Sequence, residues 1–73
     1  MTARTAIFNE FLVFCGKSLE HMTFSRLNAF CEAQWPIVER ALFDGEGTRA
    51  CDSRAHDLTC SFVERKVFAN LYE

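Results

Sequence analysis

Residues 23 to 44 read TFSRLNAFCEAQWPIVERALFD, and this stretch decides the fold. It opens on Thr23, whose hydroxyl can accept a hydrogen bond from a first-turn N–H. It closes against Gly45-Glu46-Gly47, a turn signal with at least one glycine expected at positive φ. Between those ends Leu27, Cys31, Val38 and Leu42 recur at helical spacing, and Phe24 and Phe30 flank the stripe. The residue three after Thr23 is Arg26 rather than Glu, so a full capping box is absent. The chain's only Trp and only Pro stand together at Trp35-Pro36. Inside a helix, proline removes one hydrogen bond and disfavours the helical conformation at the residue before it. Two outcomes are open. Either a new helix starts at Pro36, where the missing N–H costs nothing, or one helix runs from Phe24 to Phe43 and kinks. The stripe keeps its phase across the proline, which favours a kink or a very short break. Trp35 then either plugs the core or faces outward as an interface anchor, a role in which Trp is enriched.

Upstream, TAIFNEFLVFC (residues 5 to 15) predicts a first helix. Ile7, Phe11 and Phe14 share one stripe; Phe8, Leu12 and Cys15 share the next. From Phe11 to Cys15 five consecutive residues are apolar, which covers most of a helix circumference. Such a helix is buried nearly all round or shared with a partner. Phe and Val also favour strands, but the apolar set extends back at i−3 and i−4. Gly16 is a candidate C-cap. GKSLEHM (residues 16 to 22) reads as a connector with Leu19 and Met22 turned inward and His21 solvated.

Downstream, about Asp52 to Leu71 predicts a last helix, capped by Asp52 or Ser53. It carries two apolar lines. Ala55, Leu58 and Phe62 form one; Cys60, Val63, Val67 and Leu71 lie nearly opposite, with Phe68 and Tyr72 partly filling a gap. A second line on one helix asks for a second partner. A rival reading makes residues 58 to 62 an alternating strand.

Composition turns this pattern toward association. A 73-residue chain buries only roughly 60% of its unfolded surface and leans on a disulfide, a metal or a partner. The hydrophobic fraction is 49% with eight Phe, more apolar material than one small interior hides. The net charge is −2, with acids and bases interspersed and Arg65-Lys66 the longest basic run. Phosphate binding needs a clustered basic footprint, so a nucleic-acid role is disfavoured unless Arg26, Arg40 and Arg54 assemble one. No segment approaches the ~20 apolar residues that span a bilayer. No secretory signal is read at the N-terminus, and the four Cys fit buried reduced thiols in a cytoplasmic protein.

One constellation carries possible chemistry. His56 and Cys60 are four apart, the spacing by which a helix grips a metal, and Cys51 lies close in sequence. Cys31 could supply a fourth ligand. No Cys-x-x-Cys occurs, so the zinc signal is weak. A Cys–His nucleophile from the same residues lacks an orienting carboxylate and a cleft.

The expectation is an all-α bundle of three or four short helices forming one domain over residues 1–73, dimeric, with no cofactor and no catalytic residues. Its expected partner is a larger protein or a second copy. The expected contact residues are Trp35, Phe43, Val63, Val67, Phe68 and Leu71. Self-association is the simplest solution because one patch serves twice. By class-level analogy, some small phage and prophage products act in this way as inhibitors or adaptors of larger proteins.

Overall fold

The computed structural model describes residues 2–71, with side chains through residue 69. It is all-α. Helix α1 spans Ala3–Ser18, α2 spans Phe24–Leu42 and α3 spans Asp57–Leu71, with a single 3-10 turn at Gly47–Ala50 between α2 and α3. No strand occurs among the described residues, and residues 58 to 62 are helical.

Helix α2 is the element the others pack on; α1 and α3 touch each other least. Thr23 caps it as expected, accepting the Arg26 N–H at 3.3 Å. The helix runs through Pro36 without a new start. Pro36 and Glu32 are both exposed, so the carbonyl that loses its donor can turn to water. Most of the stripe buries as read: Cys31 and Val38 are fully buried and Leu27 nearly so, Leu42 is half-buried against the core, and Ile37 and Ala41 widen the buried face. At the far end Phe43 N–H donates to the Glu39 carbonyl at 2.8 Å. Both turn glycines then take positive φ, 78° at Gly45 and 58° at Gly47. Arg40 ties down the loop that follows. Its Nε lies 3.2 Å from Glu46 Oε2, and its guanidinium reaches Asp52 and the Ala50 carbonyl.

Helix α1 differs from the expectation at both ends. Thr2 caps it, accepting the Thr5 N–H at 3.1 Å, so it begins before residue 5. Gly16 is not a cap. The helix continues to Ser18, and Leu19 closes it with an N–H to the Cys15 carbonyl at 2.8 Å. A Cβ on Gly16 would stand 3.3 Å from Leu27 Cδ2, so glycine serves the close approach of α1 to α2. Leu19 packs against the core, whereas Met22 stays exposed.

Helix α3 starts later than Asp52 or Ser53 because those residues are used otherwise. Asp52 Oδ1 accepts the Arg54 N–H at 2.8 Å, which makes an Asx turn rather than a helix start. His56 takes the capping position: its Nδ1 accepts the Leu58 N–H at 3.1 Å. The two apolar lines also resolve differently. Among the described side chains of α3, Thr59, Phe62 and Val63 are buried, with Leu58 and Val67 half-buried on either side. At roughly 100° per residue these form one wide arc, and the two lines are its margins. Thr59 and Lys66 hid that arc in the sequence because both are polar. Val63 is therefore interior and offers no surface to a partner.

Candidate interaction surface

The five expected contact residues whose side chains are described are not gathered on one face. Trp35 and Phe43 are half-buried neighbours, ring centroids 6.4 Å apart. Trp35 also meets the edge of Phe8 at 5.3 Å, and Arg4 lies 4.7 Å over the Phe43 ring while pairing with Glu39. Trp35 is thus held between helices rather than projecting. Val67 is half-buried against the core, Val63 is buried, and Phe68 is 51% exposed. The side chain of Leu71, and Tyr72, lie outside the described residues.

The surface that does form lies between α1 and α3. Phe14 and Phe62 pack at 5.5 Å and make its floor. Val13 projects beside them with 58% of its surface in solvent. The result is an open groove of about 490 Å³, with Glu10 and Lys17 along α1 and Arg65 and Lys66 along α3. Lys66 pairs with Glu10 across it, and the Arg65 guanidinium sits 5.7 Å over the Phe14 ring. Phe68 lines an adjoining recess with Phe14, Ser61, Glu64 and Arg65. The clue in the sequence was the run Phe11–Cys15. It could not say which of the five residues would be left outside.

The chemistry-bearing residues assemble differently from the expected set. Cys51 and Cys60 are free thiols close enough to influence each other. His56 does not join them: its Nδ1 is used on Leu58, and its ring stands edge-on to Phe30 at 5.0 Å. Cys31 instead meets Cys15 in the α1/α2 interface. Among the described residues no three His, Cys, Asp or Glu side chains converge as a metal site. Burial, then contact with Cys60, pushes the Cys51 thiol up to about 12; burial, then Cys31, does the same to Cys15. Burial raises Cys31 as well. A reactive cysteine needs the opposite shift. Arg40 lies 3.2 Å from Glu46 and 3.8 Å from Asp52, both in the loop that follows α2.

These thiols favour their neutral form more in the fold than in the open chain. Their contribution to stability is complete below the ordinary thiol value of 9.0 and is lost as pH rises toward about 12. Stability should therefore fall across that window, and less steeply in Cys15→Ala, as read from denaturant midpoints at a series of pH values. Equal slopes in the two proteins would remove the thiol from the account.

No protein-family model matches this chain, and the searches of curated proteins and of solved structures gave no match either. No described helix is long and apolar enough to cross a membrane.

Proposed function

We propose that this chain is a non-catalytic protein-interaction module, an adaptor or inhibitor that works by binding through the α1/α3 face. The observation that carries the reading is Val13, more than half exposed beside a Phe-floored groove, with exposed Phe68 lining the recess next to it. An apolar centre with charged residues at its edge is the anatomy of a protein interface. The reduced thiols are in keeping with a cytoplasmic setting. The partner is a second copy, a larger protein, or both in turn.

Val13→Asp and Phe68→Ser should each weaken association about tenfold or more, because central apolar anchors dominate such contacts. Thermal stability should move little, since surface substitutions fall within about 0.5 kcal/mol. Two assays read the effect: mass by light scattering against concentration, and capture from an extract by wild-type and variant protein. A wild-type chain that stays monomeric and captures nothing sensitive to Val13 defeats the reading.

A further inference from the structure

The outward stripe of α1 is Glu10, Val13 and Lys17, spaced i, i+3 and i+7. Glu10 and Lys17 are oppositely charged and stand at equal sequence distance from the midpoint of Val13 and Phe14. At 1.5 Å per residue each charge lies ~5 Å along the axis from that midpoint. A two-fold axis there lays α1 antiparallel on its own copy. Glu10 then faces the partner's Lys17, and Lys17 faces the partner's Glu10. Val13 meets the partner's Phe14 twice.

We propose that the chain forms a symmetric antiparallel dimer on α1, each Val13 seated in the α1/α3 groove of the other copy and a Glu10–Lys17 pair at each end. This rests on the reading of that face as an interaction surface. The charges favour a second copy because the pattern is self-complementary, as an isologous contact requires. Lys66 holds one oxygen of Glu10 at the groove rim, and the carboxylate keeps further acceptor capacity. Lys17 has no ion-pair partner among the described residues, so it brings an uncommitted charge to the contact.

Charge reversal tests the register on the full chain, by light scattering and sedimentation, with circular dichroism to confirm folding. Glu10→Lys alone and Lys17→Glu alone each set like charges against each other at both ends, and each should weaken self-association about tenfold or more at low salt. Mixing the two variants should restore association as a heterodimer, because one chain then presents only cations along the stripe and the other only anions. The double reversal E10K/K17E should also self-associate. If E10K is poorly folded through loss of its Lys66 contact, K17E, which keeps Glu10 and that contact, still decides the matter: self-association of K17E at the wild-type level at low salt overturns the register.

A mixture no better associated than either variant alone overturns the proposed register. A wild-type monomer that still captures another protein through Val13 overturns the dimer and leaves the interaction reading standing. A monomer that captures nothing overturns both.

Discussion

Phe11→Ala is expected to leave the chain largely unfolded in water at room temperature. Phe11 has no exposed surface and packs on the Phe62 ring at 5.0 Å, where α1 meets α3. Truncating a buried Phe to Ala typically costs about 3–5 kcal/mol. A domain of this length has about that much stability in total. The helices, 15 to 19 residues long, lean on one another, since most helical stability in a protein comes from tertiary packing rather than from propensity. Far-ultraviolet circular dichroism should show most helical signal gone, and the denaturant transition should shift toward zero denaturant. Phe11→Leu, which keeps most of the volume, should retain a cooperative transition at a cost of about 1.5 kcal/mol or less. A Phe11→Ala protein that melts cooperatively within a few degrees of wild type would show that the described core is not what holds the helices together.

Gln34→Leu has the next largest expected effect, and it reports on α3. The Gln34 side-chain oxygen accepts two hydrogen bonds, from the His56 N–H at 2.9 Å and from the Thr59 hydroxyl at 2.8 Å. It ties the first turn of α3 to the middle of α2. His56 is exposed and its N–H can turn to water, but Thr59 is fully buried and has no such recourse. Leaving that hydroxyl without an acceptor costs about 1–3 kcal/mol. Thr59→Val in the same chain removes the stranded group, and the double variant should recover most of the loss, because removing both partners of a buried hydrogen bond is close to neutral. A double-mutant cycle from denaturant midpoints measures this. Strict additivity of the two single effects would mean that the contact carries no coupling.

Much of the helical framework is legible without the structure. Thr23, the Leu27–Leu42 stripe and the paired glycines place α2 to within a residue or two, and the unbroken phase of the stripe anticipates its continuity through Pro36. The ends of α1 and α3 were harder. Thr2 and His56 serve as caps in their place, and Asp52 spends its carboxylate on a turn. Histidine is an infrequent cap, and nothing local distinguishes an aspartate that starts a helix from one that closes a turn two residues on.

The site was less legible than the fold. Val63 was expected outside and is inside, because the arc that buries it is centred on polar residues. Thr59 goes inside because its hydroxyl finds Gln34, which is 25 positions away in sequence. Lys66 lies along that arc because its ammonium reaches Glu10 on a different helix. Neither partner is visible in the α3 sequence alone. Conversely, Val13 belongs to the most apolar run in the chain and is left in solvent.

Caps, turns and periodic apolar stripes act over three or four residues, so the chain's own order determined that this protein is helical and roughly where each helix lies. Burial and pairing depend on groups that meet only after the helices dock. The tertiary structure therefore decided the rest: which of the apolar residues remain exposed, that the free Cys15 neighbours Cys31 and the free Cys51 neighbours Cys60, and that Phe14 and Phe62 floor a groove with Val13 at its edge. A helix of this kind can turn any of several apolar residues toward solvent, and only the positions of its neighbours select one.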